Sequence, residues 1–188
     1  MDAIEIFFAA YGALLALAIA NLLAAAVRLI HSPSDVRIGW STPLLLLLLF
    51  LDICSFTVGT SRSMGLADLS STLVTTALLA AAGYCLAARL VAPSDFADWK
   101  DLDAYYDRYK IWIIGATLVA SLLGFEALSL LTKGLAETLQ TRWMGLWTPL
   151  ILSFYVILGV LLVIRNRATN LVLLATLNAI FVVALFTT

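Results

Sequence analysis

Histidine and cysteine are almost missing from this sequence, and their scarcity excludes several kinds of site. The chain of 188 residues has one histidine, His31, and two cysteines, Cys54 and Cys85. A single histidine excludes a bis-histidine haem, a histidine-rich metal site and a histidine relay within one chain. Both cysteines fall inside apolar runs, where we expect them to fill space as small apolar side chains. A His/Ser/Asp set and a glycine-rich phosphate loop are missing too, so we predict no catalytic residues, no metal and no cofactor.

Charge is also scarce, which excludes an ordinary soluble domain. Only 12% of the residues are charged and 63% are hydrophobic, whereas soluble domains are typically about a quarter charged. Apolar runs recur from end to end, so no room is left for a separate soluble domain. The runs are too long and too continuously apolar for barrel strands, which leaves helices as the spanning form. The sequence therefore predicts an all-α polytopic membrane protein whose first partner is the lipid bilayer.

Two further absences concern basic residues. The net charge of −1 shows no excess of basic residues, and this balance excludes nucleic-acid binding. Asp2 and Glu5 stand where a signal peptide would carry its basic region, and the apolar run that follows is too long for one. We therefore expect the first apolar run to be a membrane span.

Six membrane-spanning helices are predicted from the apolar runs. They cover residues 4–30, 43–61, 70–92, 111–133, 146–164 and 169–187. Eight of the eleven Lys and Arg residues fall on the side of the first loop, which the positive-inside rule assigns to the cytoplasm. Both termini would then lie outside. We divide the chain into a first three-helix half at 1–92, a connecting segment at 93–110 and a second half at 111–188.

An internal match indicates that the two halves are related. Gly39-Trp-Ser-Thr-Pro-Leu-Leu-Leu46 recurs as Gly145-Leu-Trp-Thr-Pro-Leu-Ile-Leu152. Because three is an odd number of spans, a duplicated second half would enter the membrane upside down, as in the inverted repeats of many secondary transporters. The alternative is that the chemistry of helix starts, with Thr and Pro in the first turn, produced the same string twice.

Residues 93–110 form the one hydrophilic stretch. Its aromatic and leucine side chains recur at steps of three and four, which predicts one apolar face of a helix. That face carries Trp99, Leu102, Tyr106 and Tyr109. We expect an amphipathic helix at the cytoplasmic interface, where Trp and Tyr prefer to lie. It would be either a stiff connector or a docking face for a partner.

Asp52 and Glu126 are the carboxyl groups that lie deep in the predicted spans. Asp52 lies nine residues beyond Pro43, which is about 13 Å at the helical rise and close to the membrane midplane. Glu126 lies fifteen residues beyond Ile111, about 22 Å along its helix. An acid at such depth is expected to be protonated part of the time, which is the chemistry of a proton-coupling site.

Two asparagines complete the predicted pathway, and they also carry its structural alternative. Asn21 lies in the first span and Asn178 near the middle of the sixth. We expect Asn178 and Glu126 to be the first partners of Asp52. In the alternative, a protonated acid hydrogen-bonds to Asn178, Asn21 or a backbone carbonyl and only specifies helix packing.

Two classes of function fit these features. The deep acids and the internal match favour a small transporter or channel, proton-coupled through buried carboxylates. The lack of polar residues in the fifth and sixth spans favours a non-catalytic structural or regulatory subunit of a larger membrane assembly. For either class, a second copy of this chain or a larger membrane complex is an expected partner.

Overall fold

The described part of the molecule is an assembly of helices. A computed structural model describes residues 3–64, 70–140 and 148–187, and within these ranges it contains helices joined by short turns and loops. In chain order they are α1 Ala3–Ile30, α2 Ser41–Met64, α3 Ser71–Leu90, α4 Leu102–Ser121, a π-helix Leu122–Ala127, α5 Leu128–Thr138, α6 Thr148–Val163 and α7 Arg167–Thr187. The predicted all-helical architecture is confirmed.

Four stretches of helix are long and apolar enough to cross a membrane. They are Glu5–Ile30, Ser41–Thr60, Ser71–Leu90 and the continuous stretch Leu102–Thr138. The apolar parts of α6 and α7, Thr148–Val163 and Arg167–Val183, are shorter. These lengths indicate a membrane protein, whereas six spans remain a prediction.

Small side chains allow the central helices to approach closely. Along the α1–α3 contact, Ala18 and Ala25 are fully buried, as are Ala77 and Ala80 on α3. Between α3 and α4, a Cβ atom on Gly83 would lie 3.0 Å from the Cβ of Ala120. Helices in a membrane associate through such close packing, because lipid tails are as apolar as leucine and supply no hydrophobic driving force. The Ala-rich composition of α1 and α3 therefore brings α4 and its polar residues into the centre.

The helix predicted over 93–110 is wrong in its first part. Residues 91–101 form turns and bends, and α4 begins at Leu102. The Asp95 carboxylate accepts a hydrogen bond from the Ala97 amide at 3.0 Å, and the Asp101 carboxylate accepts one from the Asp103 amide at 2.9 Å. Aspartates that bond to their own backbone in this way compete with helix formation and favour caps and turns.

Backbone hydrogen bonds to the first loop also prevent segment 91–101 from forming a helix. The Arg37 amide donates to the Lys100 carbonyl at 2.8 Å, and the Leu102 amide donates to the Arg37 carbonyl at 3.1 Å. From Leu102 onward α4 continues into the apolar run without a break at 110. The connecting segment is therefore a paired loop followed by the first turns of a long helix, rather than a separate amphipathic helix.

Several helix ends meet at one end of the bundle, which we call the loop end. It comprises loop 31–40, segment 91–101 and turn 164–166. There the Lys110 ammonium donates to the Ile164 carbonyl at the end of α6. The Arg167 guanidinium at the start of α7 lies 2.7 Å from the Asp107 carboxylate of α4. We call the opposite end, where α2 ends and α1 and α3 begin, the far end.

The two predicted halves pack differently. In the first half α1 lies along α3. In the second half the corresponding helices are α4 and α7, which in the described residues meet through the Arg167–Asp107 ion pair rather than along their lengths. Gly145–Trp147, part of the internal match, lies outside the described residues. The inverted repeat remains a prediction.

Candidate functional site

Asp52 lies on the buried face of α2. Fully buried side chains recur along this face at steps of three and four: Leu45, Leu48, Leu49, Asp52, Ile53, Phe56. This spacing is that of one helix face. The leucine run after Pro43 makes α2 apolar on most sides, so the helix enters the core with its acid included. The Asp52 side chain is 0% exposed.

One oxygen of this carboxyl group, Asp52 Oδ2, forms a triangle with two hydroxyl oxygens from neighbouring helices. The Ser121 hydroxyl of α4 donates to Asp52 Oδ2 at 2.8 Å, and the Tyr84 hydroxyl of α3 donates to the same atom at 3.1 Å. The two hydroxyl oxygens lie 3.1 Å from each other. The second carboxyl oxygen, Asp52 Oδ1, is buried and has no hydrogen-bond partner among the described residues.

The triangle can hold Asp52 in either protonation state. An ionised carboxylate is acceptor-only, and it receives one hydrogen from each hydroxyl. A carboxylic acid adds a third hydrogen, so each edge of the triangle can then carry one. Asp52 would donate to Tyr84, Tyr84 to Ser121, and Ser121 back to Asp52. A proton on Oδ2 thus reorients hydroxyl hydrogens without leaving either hydroxyl unpaired, and a proton on Oδ1 leaves both hydrogen bonds to Oδ2 in place.

Glu126 is joined to this triangle through Tyr155 of α6. The Tyr155 hydroxyl lies 3.0 Å from Glu126 Oε1 and 3.4 Å from the backbone carbonyl oxygen of Ser121. Ser121 therefore faces Asp52 with its side chain and Tyr155 with its carbonyl. The two deep acids of the chain belong to one polar network in the middle of the bundle.

The π-helix after α4 places Ser121 and Glu126 on the same side. Five residues along an α-helix correspond to a rotation of about 140° past a full turn. In a π-helix the hydrogen bonds run between residues five apart, as between the Leu128 amide and the Leu123 carbonyl here. Residues five apart therefore lie close to one another along the helix. Turns of this kind occur frequently at functional sites.

Phe56 packs directly against the π-helix. A Cβ atom on Gly124 would lie 2.5 Å from the Phe56 ring, so glycine is required for this close approach. The Phe56 ring also lies 5.2 Å from the Tyr84 ring and 5.9 Å from the Phe125 ring, measured between centroids. The side of Asp52 that faces the far end is therefore covered by an aromatic side chain.

The asparagines predicted to accompany Asp52 lie elsewhere. Asn178 donates to the backbone carbonyls of Leu44 at 3.0 Å and Leu174 at 2.8 Å, so its prediction as a partner of Asp52 is wrong. Both amide hydrogens are used in this way without the acid, and Asn178 Oδ1 is buried with no hydrogen-bond partner among the described residues. Asn21 is half-buried on α1 and does not donate to Asp52.

Three residues of the network were missed by sequence reasoning. Tyr84, Ser121 and Tyr155 supply hydroxyls to the two acids, although none was selected from the sequence. The available signal was that each is a hydroxyl-bearing residue inside an apolar run. A buried Tyr usually finds a hydrogen-bond partner, and a deep acid is the strongest acceptor within reach.

The predicted docking face is used within the chain itself. Leu102 and Tyr106 are 0% and 2% exposed. Trp99 and Tyr109 are half-buried, and the Trp99 ring packs edge-on against Tyr105 and Tyr109 at centroid distances of 5.0 and 6.0 Å. These side chains therefore tie segment 91–101 to α4.

Comparison with protein-family models, with curated proteins and with solved structures finds no match to this chain.

Proposed function

We propose that this protein is a small integral membrane transporter or channel that carries protons through Asp52. One observation carries the proposal. A fully buried carboxyl group receives its hydrogen bonds from two neutral hydroxyls, Tyr84 and Ser121, and has a second oxygen without a partner. An acid at the centre of a membrane helix costs about 2.5–3.5 kcal/mol on insertion scales, so its presence favours a role that needs a titratable group.

The hydrogen-bond network favours proton transfer, rather than helix packing, as the role of Asp52. A structural acid is expected to have both oxygens bonded, because an unpaired buried polar atom lowers stability. Here Asp52 Oδ1 is left without a partner, while the triangle at Oδ2 accommodates both protonation states. Glu126 is a second acid beside the triangle, held by the Tyr155 hydroxyl, which also lies 3.4 Å from the Ser121 carbonyl. Ionisable side chains inside membrane spans often belong to proton relays.

The proposal includes six spans with both termini outside and the loop end in the cytoplasm. Support comes from the loop end, where α3, α4, α6 and α7 begin or end within hydrogen-bonding or ion-pair distance of one another. The contacts involve Tyr105 with the Leu90 carbonyl, Lys110 with the Ile164 carbonyl, and Arg167 with Asp107. A chain that crosses the membrane back and forth must have its helix ends at the same level on each side. Duplication of the halves is not needed for this topology.

Proton flux into liposomes tests the proposal. Purified protein in liposomes with an internal pH-sensitive dye, under a potassium diffusion potential, should acidify the lumen. Asp52→Asn should abolish this flux, because an amide keeps the shape and hydrogen bonding of the acid but does not titrate. Asp98→Asn is the matched control, since Asp98 is an exposed acid at the loop end, and it should retain full flux.

The same experiment separates the two classes of function. Equal flux from the native protein and Asp52→Asn would remove Asp52 from any proton path. Absence of flux from the native protein, together with co-purification of other membrane chains in fixed ratio, would favour the non-catalytic subunit of a larger assembly.

A further inference from the structure

The buried face of α2 changes character at Asp52. Toward the loop end it continues through Leu49, Leu48 and Leu45, which are all fully buried and apolar. Toward the far end it continues through Phe56 and then Thr60, whose side chain is 3% exposed. The hydroxyl of Thr60 lies eight residues, or about 12 Å, beyond Asp52 along the helix.

Two buried hydroxyls on the far side of Asp52 have no hydrogen-bond partner within the part of the chain that the structure describes. They are Thr60 Oγ1 on α2 and the Tyr11 hydroxyl on α1. The two groups lie beside each other but without the geometry of a hydrogen bond. Buried polar atoms in native proteins are paired with protein or with ordered water. Two adjacent hydroxyls without protein partners therefore form a site suited to bound water.

Aromatic rings connect these hydroxyls to the acid. The Tyr11 ring lies 5.8 Å from the Phe56 ring, which lies 5.2 Å from the Tyr84 ring, measured between centroids. Phe56 is one helical turn from Asp52 on one side and one turn from Thr60 on the other. It is therefore the apolar barrier between the unpartnered hydroxyls and the unpartnered Asp52 Oδ1.

We propose that protons reach Asp52 from the far end, through water bound by Tyr11 and Thr60, with Phe56 as the barrier that must move aside. This inference rests on the proposed proton-carrying function. In the transfer a hydroxyl accepts a proton from the water on its outer side and donates its own to the water on its inner side. The last water gives a proton to Asp52 Oδ1, forming one O–H bond as another breaks. The buried face of α2 carries no hydroxyl between Leu45 and Asp52, and beyond Leu45 the buried Thr42 hydroxyl donates to the Leu102 carbonyl at 3.5 Å.

Thiol labelling tests whether water reaches one side of Asp52 and not the other. In a background carrying Cys54→Ala and Cys85→Ala, single cysteines are placed by Thr60→Cys and Leu48→Cys. A small water-soluble methanethiosulfonate should modify Thr60→Cys roughly tenfold faster, because the reactive thiolate forms only where water is present. Equal rates, a faster Leu48→Cys, or no reaction at either position would overturn the proposed route.

Proton flux supplies a second readout with matched variants. Thr60→Val should lower the flux about fivefold, the effect of losing roughly one hydrogen-bonded link. Thr57→Val should leave it unchanged, since the Thr57 hydroxyl donates to the Ile53 carbonyl of its own helix at 2.7 Å. Tyr11→Phe should act like Thr60→Val. Tyr106→Phe removes a buried, unpartnered hydroxyl from α4 near the loop end and should have no effect.

The outcomes distinguish this inference from the function on which it rests. Undiminished flux from Asp52→Asn would overturn the proposed function and this route together. A flux-dead Asp52→Asn beside an unreactive Thr60→Cys would overturn the route alone. Equal flux from Thr60→Val and Thr57→Val would also overturn the route alone.

Discussion

Acidic side chains at the loop end and in the middle of the bundle differ in their partners and in their exposure to water. At the loop end Asp107 and Asp101 lie 2.7 and 3.6 Å from the Arg167 guanidinium, with side chains about one third exposed. In the middle, Asp52 is fully buried and its hydrogen-bond donors are two uncharged hydroxyls. One region balances its charges and keeps them in contact with water, and the other buries an acid without a cation.

This difference separates acids that stabilise the fold through ion pairs from an acid that can change its protonation state. At the loop end each carboxylate faces a cation and reaches water, so its role is an ion pair at the helix ends. A buried carboxyl with neutral donors changes its charge when its access to water or its neighbours change. The following predictions test whether the two regions differ in the way this comparison requires, beginning with the largest expected effect.

Asp52→Leu should destabilise the fold by about 3 kcal/mol, because it leaves the buried hydroxyls of Tyr84 and Ser121 without their acceptor. Asp52→Asn should cost less than about 1 kcal/mol, since an amide oxygen can still accept both hydrogen bonds. Thermal unfolding in detergent, followed by circular dichroism, measures both. A silent Asp52→Leu would mean that the triangle contributes nothing to stability and would weaken the contrast between the two regions.

Gly124→Ala should destabilise by about 2 kcal/mol. The new methyl group would lie 2.5 Å from the Phe56 ring, so the ring or the π-helix must shift. Gly115→Ala is the control, since nothing lies within 4 Å of that position. It should be neutral or stabilising by up to about 1 kcal/mol through the higher helix propensity of alanine. Equal unfolding temperatures for the two variants would mean that Phe56 is not held tightly against the π-helix.

The sequence was sufficient to place the acid but not to choose its partners. Helical rise and the leucine run predict that Asp52 is deep, and its burial follows from the cost of exposing a carboxylate to lipid. Its partners depend on which helices become neighbours, and α3 and α4 approach α2 through packing that no local pattern encodes. For the same reason Asn178 was assigned to the acid, although its amide nitrogen donates to backbone carbonyls.

Two local features, the π-helix and the non-helical segment 91–101, were also not predicted from the sequence. The π-helix depends on a register change of one residue after Ser121, which leaves the apolar pattern of the helix almost unaltered. In segment 91–101 the aromatic spacing is helical, but the aspartates bond to their own backbone and Arg37 pairs with the chain at Lys100. Periodicity describes which side chains can share a face, whereas these features are decided by hydrogen bonds.

Tyr155→Phe should affect proton flux moderately and stability little. It removes the hydroxyl that lies between Glu126 and the Ser121 carbonyl. If Glu126 belongs to the proton path, flux should fall by about fivefold while unfolding changes by about 1 kcal/mol or less. Phe154→Leu, a change in the neighbouring ring on α6, tests general repacking of that helix and should leave flux unchanged. Equal losses from both variants would assign the effect of Tyr155→Phe to packing.

The smallest effect is expected from the ion pair at the loop end. Asp107→Asn removes the closest partner of Arg167, but both side chains reach water, with Asp107 32% and Arg167 49% exposed. Exposed pairs contribute roughly 0.2–1 kcal/mol, because water and salt screen the attraction. The loss should therefore be under about 1 kcal/mol, should vanish in high salt, and should leave proton flux unchanged. Asp52→Asn should behave in the reverse way, with flux abolished at every salt concentration. A loss of flux in Asp107→Asn that matches Asp52→Asn would show that the loop-end acids belong to the proton path, and the distinction between the two regions would fail.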